Sequence, residues 1–213
     1  MAALLAAGRL VAVAVSGGGR TLANLLQRQQ AGSGYQVAAV IASNEGCAAV
    51  GIAKAHHLPL FIGDFSAAGL TACGERLYPW LLSQRIDWVA LAGFIKLFPL
   101  HPAWSQRIVN IHPSLLPKYG GKGMYGDRVH AAVLAAGDDK AGASVHFVTQ
   151  GYDEGAVVAQ VSVAVQPEDT VRLLADRVFA AESQLYPQTL SRLISGALPL
   201  ADGAVERSIY EYR

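Results

Sequence analysis

Asn110 and His112 are the residues of this chain best placed by type and spacing to do chemistry. They end a short apolar run, residues 108–111, separated by one residue, and Pro113 follows at once. In an extended segment residues two apart point to the same side, so a carboxamide and an imidazole meet at one spot. Pro113 biases His112 toward extended geometry, and Pro117 limits how soon a helix can resume. A neutral amide donor beside a titratable ring suits a site that must stabilise an oxyanion and also move a proton. A strand end whose Asn and His merely bond to a nearby loop fits the bare pattern as well. Asp153 would add a carboxylate, but it lies about forty residues further on, in a turn between two strand patterns. Spacing alone does not bring it to His112, and an Asx turn at a hairpin accounts for it equally.

The second chemical feature is Ser16-Gly17-Gly18-Gly19-Arg20-Thr21-Leu22. Three glycines let the backbone turn sharply and present N–H groups where a helix begins. A helix N-terminus carries roughly half a positive charge, so the segment is a phosphate cradle by construction. Arg20 adds a direct counter-charge. The run lacks the Gly-Lys-Ser/Thr of a P-loop and the spacing of a dinucleotide fingerprint. On its own it reads equally as a tight structural turn.

The elements that must position these groups alternate regularly. Strand patterns at 11–15, 36–41, 60–62, 88–92 and 108–111 are separated by helical patterns at 21–31, 46–56 and 69–84. The run at 88–92 is apolar throughout, as in a strand covered on both faces. Such alternation implies βαβ units: an α/β, doubly wound, mostly parallel twisted sheet of Rossmann-like type. After Pro117 come a glycine-rich loop, a helix at 127–136, and strands at 143–148 and 157–163 joined by a turn at 151–155. Those two strands read as an antiparallel C-terminal extension. A long amphipathic helix covers 170–195, and the tail from residue 201 has no strong pattern. Without repeats or linkers, residues 1–213 are expected to form a single domain.

Composition bounds the possibilities. The chain has 213 residues, 52% of them apolar, and a net charge of +1. That supports a substantial core and points to neither a nucleic-acid nor an anionic-membrane surface. Cys47 and Cys73 are far apart and carry no metal-ligand spacing, so they read as free thiols in a reducing compartment. The apolar start lacks a basic n-region, has Arg9 in its middle and runs into the glycine turn. It is expected to lead into the first strand of a cytoplasmic protein rather than to act as a signal peptide. No run reaches the ~18 residues of a membrane span.

Asn110-Ile111-His112-Pro113-Ser114-Leu115-Leu116-Pro117 resembles the signature of the folate-dependent formyltransferases, most closely the members that act on glycinamide ribonucleotide. Leu91-Ala92-Gly93-Phe94 is a second anchor. Gly142-Ala143-Ser144-Val145-His146-Phe147-Val148-Thr149, followed by Tyr152-Asp153-Glu154-Gly155, is a third. The resemblance runs from about residue 10 to about residue 199. It implies transfer of the formyl group of 10-formyltetrahydrofolate to the amine of 5-phosphoribosylglycinamide in purine synthesis, with no metal, acting as a monomer or homodimer.

The same resemblance assigns residues. The catalytic Asp of the family lies seven positions after the His of the Ser-Val-His-Phe strand, which here is Asp153 after His146. Asn110 and His112, as imidazolium, would then serve the oxyanion, and Asp153 would hold the ring. A carboxylate there is expected to raise the imidazole pKa. Gly19, Arg20, Thr21 and Leu22 would take the substrate phosphate, and Glu182 the ribose. Ile95, Lys96, Leu97 and Phe98, with Asn110, would line the folate site. Ser144, ordering a water, and His146 would support the centre. His56, His57, His101 and His130 read as helix-end, surface or loop residues.

Several departures from the family pattern stand out. Arg20 and Thr21 replace a common Ser/Thr and Asn, and Leu70 stands near a position where some members have Arg. The loop at 118–126 differs from the commonest form. Asp153-Glu154-Gly155 replaces Asp-Gly-Gly, an order that a formyltetrahydrofolate hydrolase can carry. A deformylase that passes formyl to water is therefore one alternative, although its usual N-terminal regulatory domain has no room in the nine residues before the first strand. A methionyl-tRNA formyltransferase would need a C-terminal RNA-binding domain and a basic surface. A non-catalytic folate-binding homologue is the remaining reading, and the Asn110, His112 and Asp153 triplet speaks against it.

Overall fold

Alternate residues of the first strand enter two different cores. Val11, Val13 and Val15 of β1 (Leu10–Val15) pack into one, and Ala12 and Ala14 into the other, all with no exposed surface. A strand buried on both faces belongs at the centre of a layered α/β sheet. The computed structural model describes residues 9–30, 34–198 and 208–211. Residues 1–8, the expected helix end at 31, the far end of the resemblance at 199 and most of the tail lie outside that set.

From β1 the chain runs α1 (Arg20–Gln30), β2 (Gln36–Ala42), α2 (Ala49–Ala55), β3 (Leu60–Ile62), α3 (Leu70–Ser83) and β4 (Trp88–Ala92). A 3-10 turn at Pro102–Trp104 leads to β5 (Ile108–His112), then α4 (Asp127–Ala136), β6 (Lys140–Phe147), β7 (Val157–Ala164), α5 (Val171–Ile194) and β8 (Ser208–Glu211). The sheet order is β3-β2-β1-β4-β5-β6-β7-β8. Pairings from β3 through β5 are parallel. Those of β6 with β5 and β7 are antiparallel. This is the doubly wound sheet with an antiparallel second half that the alternation of elements implies.

The larger core lies under α1, α2, α4 and α5, with Leu22, Leu25, Ala53, Val133, Leu174 and Leu190 among its members. The smaller one lies under α3, through Cys73, Leu77 and Leu81, with Phe61, Phe65, Phe94, Phe98 and Trp104 around them. Tyr186 of α5 is fully buried, and its hydroxyl lies 3.0 Å from the Leu91 carbonyl and 3.1 Å from that of Val109. One side chain thus ties α5 to both β4 and β5.

Two boundaries move by three residues from the sequence reading, each for a local reason, and one strand was not expected. The helix expected from residue 46 begins at Ala49. The lead-in is instead a turn in which the Cys47 thiol donates to the Gly17 carbonyl (2.9 Å). The strand expected from residue 143 begins at Lys140. It runs through Gly142, where a Cβ would collide with the Val161 carbonyl of the neighbouring strand. In the unpatterned tail, Ser208–Glu211 forms a strand parallel to β7. No helix of the described residues is long and apolar enough to cross a membrane.

Candidate active site

Parallel strands β1, β4 and β5 all end at one side of the sheet, where ligands bind in doubly wound folds. A cavity of about 600 Å³ opens there. The glycine turn after β1, Gly93 to Ile95 after β4, Asn110 to Pro113 of β5 and the loop before α4 line it, with Asp153 and one side of α5.

Register brings the polar groups together. Asn110 pairs across the strands with His146, and His112 with Ser144, so all four share one face. Their neighbours Val109 and Ile111 turn the other way, into the larger core. Asp153 reaches back from the turn between β6 and β7 with φ 59°, a left-handed conformation that Asp tolerates better than most residues. Its carboxylate accepts from Asn110 Nδ2 (3.3 Å) and from the Gly121 amide (3.0 Å). It also stands 3.4 Å from His112 Nδ1 and 3.4 Å from His146 Nε2.

Hydrogen-bond partners fix the tautomers. His146 Nδ1 faces the Phe147 carbonyl at 2.8 Å, so that nitrogen carries the proton, and Nε2 accepts from Asn110 Nδ2 at 3.0 Å. His112 Nε2 faces the Tyr119 carbonyl at 2.8 Å and must donate to it. That leaves Nδ1, opposite Asp153, as the basic position of the His112 ring.

The charge state of His112 departs from expectation. Burial holds its pKa below the ordinary histidine value, outweighing the Asp153 carboxylate and the Tyr119 carbonyl, which pull it upward. The expected effect of Asp153 is present, but it loses to desolvation, and the resting ring is neutral near pH 7. For Asp153, burial pushes the pKa up, yet His146, His112 and the Gly121 amide together hold it below the usual carboxylate range. Burial lifts Glu182 to about 7 against the pull of Arg20.

Other expected residues fall into place unevenly. Gly19, Arg20, Thr21 and Glu182 line the cavity. The first helical bond of α1 runs from Ala23 N–H to the Gly19 carbonyl, so the amides of Arg20, Thr21 and Leu22 lie outside the helix's own ladder. The Leu22 side chain is fully buried, and only its amide is on offer. A Cβ at Gly17 or Gly18 would meet nothing within 4 Å, whereas Gly19, at φ 75°, sits against Ala49 and Ile52. The open side of the turn thus faces the cavity.

On the expected folate wall, Ile95 lines the cavity and is 40% exposed. Lys96 and Leu97 stand outside the lining, and Phe98 is turned into the smaller core beside Phe65 and Phe94. Ser144 does not face the cavity. Its hydroxyl donates to the Ser114 carbonyl (2.6 Å) and accepts from the Leu116 amide (3.0 Å) and Gln160 Nε2 (2.8 Å). It anchors the turn after β5 rather than a water at the reacting centre.

His130, read from sequence as a surface or loop residue, is 4% exposed on α4 and lines the cavity. Its Nδ1 is buried without a hydrogen-bond partner, which suits the neutral ring protonated on Nε2. A signal was available: it sits between Val129 and Val133, both buried, on the inward stripe of the helix. Among the described residues no group of three or more His, Cys, Asp or Glu could hold a metal ion.

The model of the formyl transferase family matches residues 9–190. The chain belongs to the formyl transferase family. Among the relatives of this formyl transferase, the chloroplastic phosphoribosylglycinamide formyltransferase of Vigna unguiculata is 38% identical over 189 residues, 86% of this chain. The chain spans 60% of that relative's length. The phosphoribosylglycinamide formyltransferase of Haemophilus influenzae is 33% identical, with 90% of each chain covered. The crystal structure of the Bacillus halodurans phosphoribosylglycinamide formyltransferase superposes with a TM-score of 0.78 at 33% identity, covering 89% of this chain and 97% of that one.

The turn that carries Asp153 offers a test of how tightly the site is built. A Cβ at Gly155 would run into the Phe147 carbonyl. Backbone cannot yield as a flexible side chain can, so Gly155→Ala is expected to destabilise the fold by about 1–3 kcal/mol. It should also shift Asp153 and lower activity. Urea denaturation alongside initial rates checks this; an unchanged midpoint would show that the turn relaxes freely.

Proposed function

We propose that the chain transfers the formyl group of 10-formyltetrahydrofolate to the amine of 5-phosphoribosylglycinamide, giving formylglycinamide ribonucleotide for purine synthesis. One observation carries the reading: Asn110, His112 and Asp153 meet in a cavity that also holds an open glycine turn at a helix N-terminus. The turn, with Arg20, takes the phosphate through the amides of Gly19 to Leu22, and Glu182 takes the ribose. The folate occupies the opposite side, against Ile95 and the backbone of Lys96, Leu97 and Phe98. A single domain over residues 1–213 working in the cytoplasm, as monomer or homodimer, completes the proposal.

The residues act as follows. The substrate amine attacks the formyl carbon, a C–N bond forms and the carbonyl oxygen becomes an oxyanion. Asn110 turns one N–H to it, releasing the longer of its two bonds, the 3.3 Å one to Asp153. Neutral His112, bare at Nδ1, takes the amine proton with Asp153 beside it. The resulting imidazolium then has both nitrogens facing acceptors, Tyr119 O and Asp153. Its proton passes to the folate nitrogen as that C–N bond breaks.

The test is release of tetrahydrofolate from 10-formyltetrahydrofolate with and without glycinamide ribonucleotide. One-for-one formation of formylglycinamide ribonucleotide, dependent on the amine, is the expected result. Equal release without the amine, with formate appearing, would make the protein a deformylase. Folate binding without turnover in either case would make it a binding homologue.

A further inference from the structure

Arg20 is held by two residues of α5 that neither the mechanism nor the cavity lining accounts for together. Its guanidinium lies over the Phe179 ring, 3.7 Å from the centroid, and its Nη1 is 3.7 Å from Asp176 Oδ1. Phe179, with Ala175 and Glu182, forms the stripe of α5 that lines the cavity; Asp176 stands beside that stripe, outside the lining. The guanidinium is therefore propped at the cavity edge by a ring and drawn aside by a carboxylate.

We propose that Asp176 is a stand-in for the substrate phosphate: phosphate binding at the glycine turn takes Arg20 away from Asp176, while Phe179 keeps the guanidinium plane in place through the exchange. The inference deepens the phosphate-site reading above and rests on it. Four features make the exchange easy. The Arg20–Asp176 pair is half exposed, with side chains 60% and 53% accessible, and such pairs hold weakly. A phosphate accepts from Arg through two parallel bonds at higher charge. Asp176 is not left alone afterwards, because Arg172 Nε stands 3.5 Å from its other oxygen, one helical turn away. Stacking on the Phe179 face survives the exchange, since it uses the face of the guanidinium and leaves its edge free.

The competition has a sign that an ordinary structural ion pair lacks. Removing the Asp176 charge should tighten phosphate binding. On the full chain, titration calorimetry with inorganic phosphate and with ribose 5-phosphate is expected to give about two- to five-fold tighter binding in Asp176→Asn, the scale of one exposed ion pair. Arg20→Gln should bind about ten-fold or more weakly. Phe179→Leu should bind about two- to five-fold more weakly. In the Arg20→Gln background, Asp176→Asn should have no further effect, which separates a partner exchange from a general change of field.

Unchanged or weaker binding in Asp176→Asn overturns the inference, as does an equal gain with Arg20 already removed. Absence of phosphate binding by the wild type overturns it too. Turnover with glycinamide ribonucleotide, measured on the same wild-type protein, decides the formyl-transfer reading separately.

Discussion

His112→Ala is expected to remove formyl transfer, with kcat down by about 1000-fold or more and folate affinity largely kept. The magnitude follows from what the ring does. Its free Nδ1 faces Asp153, and His112, unlike His146, lines the cavity; loss of general acid–base help costs about 100- to 10000-fold. The ring is 4% exposed and bonded through Nε2 to Tyr119, so alanine also leaves a hole and an unpaired carbonyl. His112→Gln separates the two effects, because it can still donate to Tyr119 but cannot titrate. It should melt near the wild type and be as inactive as alanine. Single-turnover rates with both variants, beside folate titrations, are the check. A rate within ten-fold of wild type in either would remove His112 from the chemistry.

Asp153→Asn should lower kcat by about 100- to 1000-fold and move the acid limb of the rate profile to lower pH. In the proposed mechanism neutral His112 is the proton acceptor, so activity should fall as the pH drops through its pKa. Burial already sets that pKa below 6.5, and the Asp153 charge is what raises it part of the way back. Without the charge the ring is harder to protonate, and residual activity should persist further into acid. Profiles of kcat/KM over about pH 5 to 8, the range in which histidine titrates, give the answer. A limb moved upward, or not at all, would rule out the electrostatic coupling assigned to this pair.

Much of the centre was legible because it rests on a strand. Period-two geometry places Asn110 and His112 on one side whatever the rest of the chain does, and the structure places them so. Asp153 was invisible to spacing: its approach depends on the antiparallel pairing of β6 with β5 and on a positive φ in the following turn. Ser144 was misplaced for a related reason. A hydroxyl next to a site is open to capture by a closer partner, here the Ser114 carbonyl. His130 needed knowledge of which face of α4 meets the cleft. The resting charge of His112 needed the depth of burial, which no pattern of residue types reports. The last strand pairs with β7 across the whole length of α5, a contact too remote for local pattern to announce.

The division of labour between strands and turns has a bearing on how such a protein can change. Asn110, His112 and His146 are locked to one another by strand register, where a single-residue insertion would throw every side chain to the opposite face. The groups proposed above for the acceptor sit elsewhere, on the glycine turn after β1 and at Glu182, and the loop before α4 lines the same cavity. Loops carry lengthening and exchange far better than strands. Grafting a different segment between Tyr119 and Asp127 should therefore redirect the enzyme to another amine while the formyl chemistry passes through unchanged, provided the amide that meets Asp153 at Gly121 is retained. New acceptor specificities would then be reached by editing two turns, on a catalytic strand inherited intact.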